Sequence, residues 1–296
     1  MSPRRHPPRG PRASSRARRP SPARPQAVEE PLPPITFRPE EDAALLAALA
    51  PLVPAADLDA TAEAIRAFLR GLVRWNVRSN LVAAGDRDRL VRRHVVESLA
   101  CVPLLDHLGG ETLIDLGSGG GFPGIPIKLV RPGIRVALLE SRRIKSLFLK
   151  RTIRELGLSG AEAWQIRIEA LATLPDGAAS AEAELPVSGE GARPGGPAAT
   201  APPAPGPISG DLAVGDPLPA VRPLVDLVTA RAVAALPTIA EWVAPVVRSG
   251  GGLVTFKGSR VDDEIEAWRQ APGPWELERV EREAVPGLTL VALRRV

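Results

Sequence analysis

LIDLGSGGGFPGIP, residues 113–126, is the stretch from which the fold is read. An apolar run, Leu113 to Leu116, gives way to glycines at 117, 119, 120 and 121, and then to the helix-like GIPIKLV of 124–130. Buried strand, glycine turn and helix make up the unit from which parallel α/β sheets are assembled. Glycines there let the backbone turn sharply and approach a ligand with no Cβ in the way. Outward from this point the alternation continues. IRVALLE (134–140) reads as a second strand, SRRIKSLFLKRTIREL (141–156) as an amphipathic helix stopped by Gly157, and AWQIRIE (163–169) as a third strand. LVDLVTARAV (224–233) resumes the pattern. An apolar helix around Ile239–Val247, the strand GLVTFKG (252–258), a helix containing Ile265 and Trp268, and a last strand LTLVALRR (288–295) follow.

Upstream, 41–106 is helical in pattern. Ile65, Phe68, Leu69, Leu72 and Val73 recur on one face, as do Val91, Val95, Leu99 and Val102, with a turn-like break at WNVRSNLV (75–82). Residues 176–224, dominated by Ala, Gly and Pro, are too long a structureless stretch for the interior of a domain and read as an insertion that loops out. Residues 1–40 are rich in Arg, Pro and Ser and read as a disordered basic tail. Eight arginines and no acid fall in 1–28, which leaves 30 basic residues against 34 acidic ones elsewhere. The pI of about 9.9 is therefore a property of the tail. That tail reads as a loose RNA contact, a plain solvated arm or a targeting segment, although its prolines oppose the helix a transit peptide needs. No run approaches the roughly 20 apolar residues of a membrane span. One cysteine, Cys101, excludes an internal disulfide or a multi-cysteine metal site, and His6, His94 and His107 lack ligand spacing, so no metal is expected.

Glu140 closes the second strand 23 residues after Gly117, where a carboxylate can accept both ribose hydroxyls of a nucleoside. Gly119 to Gly124 also fits the G-x-G-x-x-G of dinucleotide sites. Against that, Asp115 precedes the first glycine and Pro123 has no N–H to offer a phosphate, which favours S-adenosylmethionine. The chain has no tyrosine, so an Asn-Pro-Pro-Tyr loop of amino-group methylases is absent, and Cys101 lies in a helical stretch outside any Pro-Cys loop.

Several motifs together resemble the glucose-inhibited division protein B family: Asn76 with Asn80-Leu81, Arg93-His94-x-x-Glu97-Ser98, IDLGSGGGFPGIPIK, Glu140-Ser141, Arg167-Ile168-Glu169, DLVTARAVA (226–234) and Lys257-Gly258. The likeness spans about 65–174 and 225–296, and Glu97 and Glu140 stand where that family usually has Asp. The resemblance implies a Rossmann-like class I methyltransferase fold, mostly parallel and twisted with helices on both faces, over 107–296, behind a helical N-terminal cap over 41–106. It implies methylation of guanine N7 in small-subunit (16S) ribosomal RNA, free or in an assembling particle, by a cytoplasmic monomer. A non-catalytic RNA-binding assembly factor on the same fold is the competing reading, and the intact glycine loop, Glu140 and Arg231 speak against it. Carried over by motif, Gly117, Gly119 and Phe122 line the cofactor, Glu140 holds the ribose, and Ile168 and Glu169 border the adenine. Arg231, the candidate catalytic residue, floors the active site and touches the cofactor. Lys257 and Arg93 are expected to meet RNA, with His94 beside Arg93 either bracing the cap or sharing that role. Arg142, Arg143 and Lys145 read as a solvated face or as a phosphate track.

Overall fold

A computed structural model describes residues 37–176 and 218–296; the tail before Phe37 and most of the 176–224 insertion lie outside the described residues. Helices α1 (Pro39–Leu49) and α2 (Leu58–Ser79), a π-helical turn (Leu90–Val96), α3 (Glu97–Leu99) and α4 (Val102–Leu108) lead into the sheet. Then follow β1 (Thr112–Leu116), α5 (Gly124–Val130), β2 (Arg135–Leu139), α6 (Arg143–Glu155), β3 (Ala161–Trp164), α7 (Ile168–Ala172), β4 (Val225–Arg231), α8 (Leu236–Val243), β5 (Val247–Lys257), α9 (Val261–Arg269), β6 (Trp275–Val285) and β7 (Leu288–Arg295). The strands lie in the order β3-β2-β1-β4-β5-β7-β6. β1 to β5 are mutually parallel, whereas β7 runs antiparallel to both neighbours. This is the Rossmann-like class I methyltransferase arrangement. Its order reverses between β1 and β4, and the crevice beyond the carboxyl ends of those strands is where open α/β sheets bind ligands.

Burial on both faces explains the apolar runs. β1 is buried at all five positions, as parallel strands covered on both sides must be. One face packs against α2, α5 and α6 through Phe68, Leu72, Ile125, Phe148 and Leu149. The other packs against α7, α8 and α9 through Leu171, Leu236, Ile239, Ile265 and Trp268. The α1–α4 segment shares the first of these cores and is not a separately packed layer.

Four boundaries differ from expectation. α2 runs through Trp75 to Ser79, and the break falls at Asn80 (φ 45°). Asn76 secures that break, donating to the Val82 carbonyl at 3.0 Å and accepting its N–H at 2.9 Å. β3 stops at Trp164 instead of continuing to Glu169, because β2 ends at Leu139 opposite it and leaves no partner beyond. α8 starts at Leu236, with a proline in its first turn, and Val247 already belongs to β5, paired with Val225. β6 was not foreseen at all. Its sequence WELERVEREAV is charged and mostly half-exposed, as suits an edge strand. The insertion leaves and re-enters at one place: Asp176 bridges Arg222, whose side chain also donates to the Ala172 carbonyl at 3.1 Å.

Candidate functional site

The glycine loop sits on the carboxyl end of β1, and its backbone explains its composition. Gly117, Gly119 and Gly121 have φ of +72°, +55° and +93°, conformations that side chains disfavour. Gly124, the first residue of α5, is fixed by contact: a Cβ there would stand 2.3 Å from Leu138 Cδ2 and 2.7 Å from Asp115 Oδ2. Asp115 is fully buried. It accepts the Gly124 N–H at 3.0 Å and the Thr229 hydroxyl at 3.0 Å, so it ties loop, β1 and β4 together. Burial pushes its carboxyl up to about 6. The acid that suggested a cationic ligand is therefore a clasp beneath the loop, with both oxygens given to protein donors.

Glu140 follows β2 and is nearly buried. Its Oε1 accepts the Arg142 N–H at 2.8 Å, and Oε2 has no partner among the described residues. The Phe122 ring is buried and contacts Phe68 (centroids 5.1 Å apart) and, stacked at 27°, His94 (5.0 Å). Ile168 is buried at the start of α7, and Glu169 beside it is exposed. Three left-handed glycines, a carboxylate with one free oxygen and an apolar ring make a cradle fit for a nucleoside.

Arg231 ends β4 and turns toward the α1–α4 side of the molecule. Its Nη2 donates to the Arg93 carbonyl at 2.8 Å and to the Glu97 carboxylate, and its Nη1 reaches the His94 carbonyl at 3.5 Å. The guanidinium carbon lies 6.0 Å from the Phe256 ring centroid. Burial weakens the charged form of Arg231 and raises the Glu97 carboxyl, and each charge offsets part of that for the other. The two carbonyl acceptors come from the π-helical turn, a geometry frequent at functional positions, and Glu97 follows it directly. His94 is pushed down to about 4 by burial and then by the Arg231 charge, so its ring is neutral at pH 7. Its Nε2 is 3.4 Å from Asp86 Oδ2. Arg93 pairs with the same Asp86 at 3.3 Å, and about half of its side chain is exposed.

Lys257 departs from its expected role. It is nearly buried, donating to the Ala234 carbonyl at 2.9 Å and pairing with Glu264 at 2.7 Å, and it presents no charge to a phosphate. The structure brings Gly117, Gly119, Phe122 and Glu140 to one edge of the sheet; Lys257 ends β5 at that edge too, but its amine is buried against Ala234 and Glu264. Sequence reading gave no role to Asp86, Glu97 or Thr229. Among the described residues, no group of three or more His, Cys, Asp or Glu could hold a metal ion, and no helix is long and apolar enough to cross a membrane.

A family model described as GidB, rRNA small subunit methyltransferase G, matches residues 61–180 and 217–291. A ribosomal RNA small subunit methyltransferase G of Roseiflexus sp. (strain RS-1) is 33% identical over 232 residues, covering 75% of this chain and 78% of the relative. One of the same name from Xanthomonas axonopodis pv. citri is 33% identical over 251 residues, covering 82% and 93%. Among solved structures, a ribosomal protein L11 methylase from Lactobacillus delbrueckii subsp. bulgaricus superposes with a TM-score of 0.43 at 10% identity, over 69% of this chain and 78% of that one.

Proposed function

The chain belongs to the GidB family, rRNA small subunit methyltransferase G, and from that membership we propose that it transfers a methyl group from S-adenosylmethionine to N7 of a guanine in small-subunit ribosomal RNA. The observation that carries the reading is the glycine loop at the β1/β4 reversal, with the half-free carboxylate of Glu140 one strand away. When bound, S-adenosylmethionine supplies a methyl group already activated on a sulfonium. Glu140 would take the ribose hydroxyls, Gly117 and Gly119 would allow close backbone approach, and Phe122 would give an apolar wall. Ile168 and Glu169 would border the adenine.

Guanine N7 has a free lone pair, so the chain need not remove a proton. A neutral His94, and a Cys101 whose thiol is held protonated by burial, suit that chemistry. What remains is alignment, which can lower a barrier by up to roughly 7–11 kcal/mol. Arg231 contributes by rigidity: held by Glu97 and two carbonyls, its guanidinium fixes the wall between β4 and the segment around His94. The substrate is ribosomal RNA, free or assembling, and the setting is the cytoplasm.

Mapping methylated guanines in small-subunit RNA with and without the protein tests the activity. Cofactor titration and single-turnover transfer test the residues. Glu140→Ala should weaken cofactor affinity tenfold or more. Arg231→Lys keeps the charge but loses the planar fork, and should slow transfer at least tenfold with near-normal cofactor affinity. Tight binding of NAD, or wild-type transfer by Arg231→Lys, would sink the respective assignment.

A further inference from the structure

The two edges of the parallel sheet treat arginine differently. At the amino-terminal edge the cations are matched: Arg131 pairs with Asp106, Arg222 with Asp176 and Arg248 with Asp226. At the carboxyl-terminal edge Arg231 and Lys257 are matched by Glu97 and Glu264, but five other cations are not. Arg142, Arg143 and Lys145 follow β2, Arg167 follows β3 and Arg260 follows β5. Among the described residues, none of these five side chains makes a hydrogen bond or ion pair. Four are exposed, and the half-buried Lys145 places Nζ 3.8 Å from where a Cβ on Gly119 would stand, so this charge reaches the glycine loop itself. Ile144 sits in their midst and is 54% exposed, although α6 buries Phe148 and Leu149 and half-buries Leu147 and Ile153.

Five cations without counter-charges around one mouth repel each other, and a polyanion relieves that repulsion. Phosphates of a nucleic-acid backbone match both the sign and the spread of these groups over three strand ends. An apolar side chain among them suits the face of a base, beside the nucleotide that must leave its stack to reach the loop. We propose that the carboxyl-terminal edge is the RNA-docking surface, with Arg142, Arg143, Lys145, Arg167 and Arg260 on phosphates and Ile144 packed against a base next to the target. This rests on the ribosomal RNA reading above and adds to it where the RNA lies.

The test uses the full chain with small-subunit RNA, measuring affinity across a salt series, cofactor affinity and single-turnover transfer. Arg142→Ala, Arg143→Ala and Arg167→Ala together should weaken RNA binding at least thirtyfold, with cofactor affinity within twofold. The slope of log affinity against log salt should shrink by about 2, at roughly 0.7–0.9 per phosphate contact. Ile144→Ser should change RNA affinity less than fivefold yet slow transfer about tenfold. Arg154 is equally unpaired among the described residues but exposed at the far end of α6, so Arg154→Ala should bind RNA as the wild type does. Wild-type RNA affinity and salt slope in the triple variant, or a loss in Arg154→Ala equal to that of any single edge variant, overturns the surface while methylation by the wild type keeps the functional reading. A wild type that binds cofactor but neither binds nor methylates RNA, as would follow if the edge met an acidic protein instead, overturns both.

Discussion

β1 and β4 are joined twice, once at each end, by an aspartate of one strand and a threonine of the other. At the carboxyl end, Asp115 of β1 takes the Thr229 hydroxyl and the Gly124 N–H. At the amino end, Asp226 of β4 takes the Thr112 hydroxyl (2.7 Å) and the N–H groups of Glu111 (2.9 Å) and Thr112 (3.0 Å). A glycine presses on each carboxylate: a Cβ on Gly124 would meet Asp115 Oδ2 at 2.7 Å, and one on Gly110 would meet Asp226 Cβ at 2.3 Å. The chemistry is the same and the surroundings are opposite. Asp115 is sealed and raised by burial. Burial would raise Asp226 too, but the Thr112 hydroxyl and two N–H groups outweigh it and hold that carboxyl below its ordinary range. The Asp226 clasp is a stability device, whereas the Asp115 clasp fixes the loop over which a ligand is read.

The comparison breaks most sharply at the glycines. Gly124→Ala drives a methyl into Leu138 and Asp115, both deep in the sheet, and overpacking of this kind costs about 1–3 kcal/mol or more. Cofactor affinity should fall below detection in calorimetry while circular dichroism still reports a fold. Gly110→Ala, strained at φ +125°, should lower the melting temperature comparably but leave cofactor affinity within twofold. Equal loss of affinity in both would erase the distinction.

Next come the carboxylates. Asp226→Ala strands three donors at a half-exposed edge and should cost about 2 kcal/mol in denaturant unfolding, with cofactor binding unchanged. Asp115→Ala should cost at least as much and also weaken the cofactor at least tenfold.

Acid titration separates the two by sign. Asp115 is raised on folding, so its contribution is fully present below the unfolded value near 4 and is lost as pH rises through about 6. Asp226 is lowered, so its contribution is present above that unfolded value and is lost as pH falls. Stability curves of Asp115→Asn should lack the decline between pH 4 and 6, and those of Asp226→Asn should lack the loss below pH 4. A decline between pH 4 and 6 retained in Asp115→Asn would assign it to another group.

The smallest effect is at the hydroxyls. Thr229→Val removes one hydrogen bond and should cost about 1 kcal/mol. Thr112→Val removes a hydroxyl that both donates to Asp226 and accepts its N–H at 2.8 Å, and should cost somewhat more. Thermal unfolding that ranks Thr229→Val as the costlier would reverse the assignment of roles.

The legibility of these features followed sequence distance. Strands buried on two faces announce themselves as apolar runs, which is why β1, β2, β4, β5 and β7 were read. β6 alternates Glu and Arg because its outer side faces solvent, and no hydropathy pattern marks it. The end of β3 depends on where β2 stops, a fact held by another segment. In the candidate site, glycine spacing and Glu140 are local and were visible. Thr229 lies 114 residues from Asp115, and Arg231 lies 134 from Glu97, so neither clasp nor latch has a sequence signal. A lysine at the end of β5 reads as exposed until Ala234 and Glu264 are folded against it.

The bridge between Asp176 and Arg222 has a consequence for how such a chain changes over time. With Asp176 and Arg222 fastened together, the strand order on either side is indifferent to the number of residues between them. By loop-closure entropy alone, doubling the number of residues between two such joined points costs only about 0.6 kcal/mol. Lineages could therefore lengthen, trim or replace that passage without renegotiating the sheet, and an engineer could lodge a fluorescent reporter or affinity handle there on the same terms.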